Sequence, residues 1–179
     1  MPPELTPPLS ERDHVRGPAD APYELVMYGD FECPFCQAAQ SILARVEQRM
    51  EGELRFAFRH FPLAEVHPQA ERAAQWSEAA ARQGRFWEAH DLLYRQAGKL
   101  GDRDVLKVLR RLDLDAKQLQ ADVDSDEVVE RVAADLEAGE ASGVPGTPAF
   151  FAGGKLLDGA FDAASLVSAI RASRAPADA

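Results

Sequence analysis

Residues 23–36, Tyr-Glu-Leu-Val-Met-Tyr-Gly-Asp-Phe-Glu-Cys-Pro-Phe-Cys, contain the two cysteines of this 179-residue chain, Cys33 and Cys36. The apolar, β-rich run at 23–28 predicts a buried central strand, which Gly29-Asp30 ends. A helical pattern begins at Cys33, so the cysteines lie where a strand gives way to a helix. Two residues between them let the sulfurs meet across the first helical turn and close a reversible disulfide.

The position of Cys33 at the start of this helix favours its thiolate. Cys33 would face the unpaired N–H groups and the positive end of the helix dipole. The thiolate is the nucleophile in disulfide exchange. At a pKa of about 8.5 only about 3% of a thiol is ionised at pH 7, whereas a pKa of about 6 would make that about 90%.

Two other interpretations of the cysteine pair are weaker. Zinc needs four ligands, but no further cysteine exists, and the four histidines (His14, His60, His67, His90) contain no closely spaced pair. A structural staple is also disfavoured, because closing so short a loop removes only about 2 kcal/mol of unfolded-chain entropy. The sequence therefore favours a redox-active dithiol.

The segments around the dithiol predict a βαβ unit. Apolar residues recur at steps of three and four from Cys33 to about Arg49, which predicts an amphipathic helix that Gly52 ends. Alternation of apolar and other residues over 54–59 then predicts a strand. Strand, helix and strand in this order give a parallel strand pair.

The remaining chain predicts a long helical block followed by a β-hairpin and a last helix. From His67 to about Ala141 the period is helical, and His67-Pro68 predicts a helix cap followed by proline. The helices are expected at 67–84, from Trp87 to Gly98, and at 102–112, 115–122 and 126–139. Gly153-Gly154 predicts a two-residue turn between strands 149–152 and 155–158. Asp162 would cap the closing helix.

Three segments resemble the DsbA-like disulfide oxidoreductases, which have the thioredoxin fold: 29–36, Phe58-Arg59-His60-Phe61-Pro62-Leu63, and 143–151 (Gly-Val-Pro-Gly-Thr-Pro-Ala-Phe-Phe). The resemblance spans about residues 14–172. It implies an α/β, thioredoxin-like fold (βαβ…ββα) with an inserted all-helical subdomain. The expected parts are an extended or poorly ordered arm at 1–13, a discontinuous thioredoxin-like domain at 14–63 and 142–174, and the helical subdomain at 64–141.

The resemblance also implies roles for individual residues. Cys33 would be the exposed attacking thiol and Cys36 the buried resolving one. Thr147-Pro148 matches the family's cis-proline, and the backbone of Thr147 would pair with an incoming peptide, as in strand addition. The residues expected to bind substrate are Pro34, Phe35, Thr147 and Pro148, with Phe31 contributing to an apolar rim.

The chain departs from the family between its cysteines. The periplasmic prototype carries Pro-His there, whereas this chain carries Pro34-Phe35. A histidine helps to stabilise the thiolate, and Phe35 cannot donate a hydrogen bond to sulfur. We therefore expect a less oxidising couple, with the direction of electron transfer open.

Other polar residues near these motifs are interpreted as structural. His60, at a strand end, is expected to be a hydrogen-bonded neighbour of the site. His90 is expected on a helix surface beside an aromatic pair, and Glu32 is expected to be an exposed acid.

Composition limits the partners. The net charge is −10, from 20 basic and 30 acidic residues, which argues against nucleic acid and anionic membranes as partners. The N-terminal residues lack the basic and apolar regions of a secretory signal, which favours the cytoplasm. No metal or bound cofactor is expected besides the Cys33–Cys36 disulfide.

The leading hypothesis is a thiol–disulfide oxidoreductase that acts on protein or peptide thiols and disulfides together with a thiol redox partner. Substrate, partner and oligomeric state are open. An alternative is a chaperone-type, peptide-binding module whose cysteines sense redox state. Zinc binding through the two cysteines is a third possibility.

Overall fold

A five-stranded mixed sheet forms the centre of the molecule in the computed structural model, which describes residues 3–173. The strands lie in the order β1-β3-β2-β4-β5. Only β2 and β3 are parallel, and the other neighbouring pairs are antiparallel. The strands are β1 (His14–Arg16), β2 (Tyr23–Gly29), β3 (Leu54–His60), β4 (Ala149–Ala152) and β5 (Lys155–Leu156).

The predicted βαβ unit is confirmed. Strands β2 and β3 run in parallel from the pair Tyr23 and Leu54 to the pair Gly29 and His60. Helix α1 (Pro34–Arg49) connects them, and a left-handed Gly52 with φ of 78° follows its end. The carboxyl ends of both strands therefore lie at the same end of the sheet, and the cysteines follow the carboxyl end of β2.

The helical insertion between the sheet strands is also confirmed. Its helices are α2 (Ala70–Ala81), α3 (Phe86–Tyr94), α4 (Asp102–Leu109), α5 (Ala116–Asp122) and α6 (Asp126–Ala141), with a 3-10 turn at Arg110–Leu112. Helix α2 begins at Ala70, with Gln69 at the N-cap, so the prediction that His67 caps this helix is wrong. The side chain of His67 bonds instead to Asp30.

The two faces of the sheet build two apolar clusters, because successive side chains of a strand point in opposite directions. Leu25 and Met27 of β2 join the larger cluster with α1, the closing helix α7 (Ala163–Ala172) and most of the insertion. Val26 and Tyr28 join the smaller cluster on the other face. Asp162 caps α7 in a capping box with Ser165, as the sequence predicts.

The N-terminal arm is docked against the sheet, although the sequence predicts an extended or poorly ordered segment. Leu5 is buried, and its N–H donates to Gly154 O at 2.8 Å. The buried Arg59 holds the arm further along, through both carboxylate oxygens of Asp13 at 2.6 and 3.1 Å and the carbonyl of Pro7 at 2.9 Å. Residues 1 and 2 of the predicted arm lie outside the described residues.

Within residues 3–173, no helix is long and apolar enough to cross a membrane.

Candidate functional site

The cysteine pair occupies the first turn of α1. Cys33 is the N-cap residue, with φ of −70° and ψ of 120°, and Pro34 follows at the first helical position. This placement suits proline, whose missing N–H would have no helical partner there. Cys36 lies within the turn and is fully buried, and both cysteines are free thiols. Cys33 is only 3% exposed, so the prediction that it is the exposed thiol of the pair is wrong: the side chains around the N-cap cover it. Phe35 points outward and is 73% exposed.

Hydrogen bonds stabilise the thiolate of Cys33. The hydrogen bond from the Cys36 thiol, together with those from the backbone N–H groups of Cys36 and Phe35, outweighs burial and lowers the pKa of Cys33 to about 5. At that pKa about 99% of the group is ionised at pH 7. Cys33 Sγ lies 3.5 Å from Thr147 O, to which the neutral thiol would donate. The sulfur is therefore ionised in its ordinary state near neutrality.

Cys36 has the opposite environment. Burial, followed by its hydrogen bond to Cys33, raises the pKa of Cys36 far above its usual range. The neighbouring phenol of Tyr94 is also buried, and burial raises the pKa of Tyr94 well above its usual value. The two sulfurs thus form an ionised thiol in front of a protonated one.

The segment that leads into β4 faces the dithiol. The Thr147–Pro148 peptide bond is cis, and Ala149 directly after it begins β4 opposite Tyr28. Thr147 and Pro148 are half-buried. The structure therefore brings together the residues that the sequence analysis selected: Cys33, Cys36, Phe35, Thr147 and Pro148.

An apolar pocket of about 320 Å³ begins beside these residues. Phe35 and Ile42 of α1 form one wall, and Pro148, Phe150 and Phe161 form the other. Leu157 and Gly159 also line it. The position of the pocket could not be read from the sequence, because it joins α1 to segments more than 100 residues away.

The prediction that Phe31 contributes to an apolar rim is wrong. It is 2% exposed, and its ring packs against Phe58, His90 and Tyr94 with centroid distances of 5.5, 5.7 and 4.8 Å. The helical insertion supplies two of these rings, so it covers the peptide that leads to Cys33. Burial of Phe31 therefore anchors the dithiol loop beneath the insertion.

Two further polar residues differ from their predicted settings. His90 is fully buried, whereas the sequence predicts a helix-surface position. Its Nδ1 lies 2.8 Å from Asp91 Oδ1, and burial lowers the pKa of His90 to about 4. Glu32 is only partly exposed, because its Oε2 accepts from the N–H of Gln69 at 2.6 Å.

One cluster of possible metal ligands lies apart from the cysteines. Oε1 of the buried Glu78 lies 2.7 Å from Nε2 of His14 and 2.8 Å from Nε2 of His60. Ligands of a tetrahedral zinc with bonds of about 2.0–2.2 Å would lie about 3.3 Å apart. The nearby positive charge of Arg131, whose pKa Glu78 helps to raise, also opposes a cation. We therefore interpret the cluster as a hydrogen-bonded network.

Within residues 3–173, this cluster is the one group of three or more histidine, cysteine or acidic side chains whose ligand atoms lie close enough to share a metal. Neither cysteine belongs to it.

The sheet topology and the C-x-x-C pair are those of the thioredoxin-like class of oxidoreductases. A family model described as thioredoxin matches residues 9–172, and the chain belongs to that family. Its architecture, with the helical insertion, is the DsbA-like form of the thioredoxin fold.

Solved structures support this placement. A thioredoxin-like oxidoreductase from Silicibacter pomeroyi is 26% identical, with a TM-score of 0.83 over 92% of this chain and 94% of that one. The thiol-disulfide exchange protein alpha-DsbA2 from Wolbachia pipientis is 18% identical, with a TM-score of 0.81 over 91% and 88% of the two chains. At this lower identity the second likeness concerns the fold.

Sequence relatives include much longer proteins. The chain is 39% identical over 173 residues to a protein of Salinispora tropica named Na(+)/H(+) antiporter NhaA 3, covering 97% of this chain and 26% of that protein. The chain thus spans about a quarter of the length of the curated relatives that it matches.

Proposed function

We propose that this protein is a thiol–disulfide oxidoreductase that exchanges disulfides with protein or peptide substrates through Cys33 and Cys36. The observation that carries the proposal is the placement of two free thiols three residues apart, with Cys33 at the helix start and Cys36 fully buried behind it. This placement lowers the pKa of Cys33 and raises that of Cys36. Disulfide exchange needs this combination, because one sulfur must attack first and the other must wait.

The chemistry balances as two displacements. The Cys33 thiolate attacks one sulfur of a substrate disulfide, the substrate S–S bond breaks, and the departing thiolate takes up a proton. The Cys36 thiol then loses its proton and attacks Cys33, which releases the second substrate thiol. The Cys33–Cys36 disulfide remains, and two electrons have passed to the substrate. Oxidation of a substrate dithiol runs the same steps backwards.

The substrate is proposed to lie along Thr147 and Pro148. An extended peptide would pair with the backbone of Thr147 and place its disulfide or thiol sulfur against Cys33, in the manner of strand addition. The apolar pocket behind Phe35 would receive a neighbouring apolar side chain, and Pro34 would contact the peptide at the exposed helix start. No cofactor other than the dithiol is proposed.

The equilibrium potential is proposed to lie between those of thioredoxin and DsbA. A low pKa of the attacking thiol stabilises the reduced form and makes a couple more oxidising. The pKa of about 5 for Cys33 lies between about 7 for thioredoxin and about 3.5 for DsbA. The potential should therefore lie between about −270 mV and about −120 mV. Equilibration with glutathione buffers of known ratio measures this potential directly.

The exchange mechanism is tested by trapping. The Cys36→Ala variant should accumulate mixed disulfides through Cys33 with a disulfide-containing peptide, because no resolving thiol remains. The matched control is Cys33→Ala, which keeps the buried thiol and loses the attacking one. Equal trapping by the two variants would refute the proposed roles.

The exposed Phe35 and its pocket also favour the alternative of a peptide-binding module. A protein with both cysteines replaced by alanine would still suppress aggregation of an unfolded protein under that alternative. Loss of all suppression would exclude it. The cytoplasmic location stays a prediction from the sequence, as does the absence of nucleic-acid and membrane partners.

A further inference from the structure

One histidine outside the C-x-x-C motif is bonded to the loop that carries the dithiol. His67 Nδ1 lies 2.8 Å from Oδ2 of Asp30. The Asp30 side chain is completely buried, and that of His67 is 21% exposed. His67 lies three residues before α2, the first helix of the insertion, and this contact joins positions 37 residues apart.

Asp30 fixes His67 and the peptide of Cys33 together. Its Oδ2 also accepts from the N–H of Leu63 at 3.0 Å, and its Oδ1 accepts from the N–H of Glu32 at 2.8 Å. The carbonyl of Asp30 accepts from the N–H of Cys33 at 3.2 Å. A shift of Asp30 would therefore move the histidine and the attacking cysteine as one unit.

A second tether holds the same two segments. Glu32 Oε2 accepts from the N–H of Gln69 at 2.6 Å, directly before α2. The loop 30–33 is thus bound to the segment 63–69 by three hydrogen bonds from two acidic side chains. The position of His67 is consequently set from both of its sides.

The charges of this loop lack a cation of their own. When Cys33 is ionised, the loop 30–33 carries the thiolate and the acidic side chains of Asp30 and Glu32, and the residue between the cysteines is the neutral Phe35. The charges with the largest effect on His67 are those of Asp30, Cys33 and Glu32, in that order. Burial works against protonation, but the bond to Asp30 and the three charges raise the pKa of His67 overall.

We propose that His67 is the cationic partner of the Cys33 thiolate, supplied from the loop before the helical insertion, and that Asp30 is its positioning residue. In electrostatic terms His67 replaces the histidine that the periplasmic prototype carries between its cysteines, where this chain has Pro34-Phe35. The inference rests on the proposed function of the same dithiol.

The two charges must stabilise each other equally, because linkage is reciprocal. Formation of the Cys33–Cys36 disulfide removes two electrons and the Cys36 proton, and it also removes the negative charge on Cys33. His67 then loses part of its stabilisation and releases a fraction of a proton. The pKa of His67 should therefore be higher in the reduced protein than in the oxidised one.

The experiment follows the four histidines of the intact protein by NMR across pH, in the reduced and disulfide forms. His67 should titrate about 0.3–1 pH unit lower after oxidation, less than a direct ion pair would give because its side chain is partly exposed. His14 is the matched control, since it is 19% exposed and bonded to a different buried carboxylate, Glu78. An unchanged His67 titration, or an equal shift of His14, would overturn the proposal.

Variants test the reverse direction. His67→Gln should raise the pKa of Cys33 by the same 0.3–1 unit, or about two- to tenfold in its acid dissociation constant, and His14→Gln should leave it unchanged. A merely structural role for His67 would not move the titration of His67 itself between the reduced and disulfide forms, so the NMR comparison distinguishes the two roles. If His67→Gln fails to fold, the NMR comparison still decides, because it uses the unaltered chain.

This outcome is separable from the proposed function. The shift of His67 depends only on the loss of charge at Cys33 and is also expected after alkylation with iodoacetamide. Trapping of substrate by Cys36→Ala does not require His67. A shift of His67 without trapping would support the electrostatic role of His67 and refute disulfide exchange. Trapping without a shift would support exchange and refute the role of His67.

Discussion

Replacement of Cys36 by alanine should weaken the acidity of Cys33. The hydrogen bond from the Cys36 thiol is the largest contribution to the low pKa of Cys33. A hydrogen bond to a charged group contributes about 1.5–3 kcal/mol, which at 1.36 kcal/mol per unit corresponds to about 1–2 pKa units. The pKa of Cys33 should therefore rise from about 5 to between about 6 and 7.

Thiolate absorbance at 240 nm, followed from pH 3 to 9 in the reduced protein, measures this change. At pH 6 the thiolate fraction should fall from about 90% to between about 50% and 10%. Thr147→Val is the companion variant, because it removes the neutral hydroxyl of Thr147 and keeps the shape of the side chain. It should raise the pKa of Cys33 by about 1 unit or less. A wild-type thiol that titrates near 8.5, or a Cys36→Ala thiol that still titrates near 5, would refute the reasoning.

Three further changes test other parts of the structure. Phe35→Ala should leave the unfolding free energy within about 0.5 kcal/mol, because the ring is exposed, yet it should slow peptide reduction; unchanged kcat/KM would contradict its contact with substrate. Gly139→Ala should lower the urea midpoint by the equivalent of about 1–2 kcal/mol, since a Cβ at this position overlaps the Phe61 ring. The control Gly146→Ala should leave the midpoint unchanged, because no atom lies within 4 Å of the added Cβ. Equal midpoints for the two variants would contradict the close approach of Gly139 to Phe61. Bonds to two histidines hold the pKa of Glu78 far below its usual value, so Glu78 stabilises the fold fully above a pH of about 4.5, and this stabilisation is lost as the pH falls further. The free energy of unfolding should therefore decrease less between pH 7 and pH 3.5 in Glu78→Gln than in the wild type. An equal decrease would contradict this contribution of Glu78.

Local signals in the sequence were sufficient for most of the elements. The C-x-x-C pair at a strand-to-helix boundary, the Gly153-Gly154 turn and the Asp162 cap each depend on a few consecutive residues, and the structure contains all three. The length of the helical block, which is too long for a connection between sheet strands, predicts the helical insertion, and the family resemblance agrees with it. These features are predictable because short-range backbone preferences decide them.

Features that depend on tertiary packing were missed. Strand β1 has three residues, too few for alternation to be visible, and it exists because it pairs with β3. His90 was expected at the surface because a single helix does not reveal which neighbours will cover it. Asp30 and His67 lie 37 residues apart, and the packing of the insertion against the sheet brings them into contact. No local sequence pattern therefore predicts this contact.

The helical insertion explains how one helical turn can hold two such different sulfurs. Rings from the insertion cover Phe31 and bring Tyr94 next to Cys36, so the second sulfur is removed from water and stays protonated. Cys33 is only 3% exposed but lies at the helix start, where the N–H groups of Cys36 and Phe35 can donate to its sulfur. The protonated Cys36 is itself a donor to Cys33, so burial of the second thiol increases the acidity of the first. Loosening of the insertion should therefore raise the pKa of Cys33 and lower that of Cys36 together, because both depend on the same covering rings.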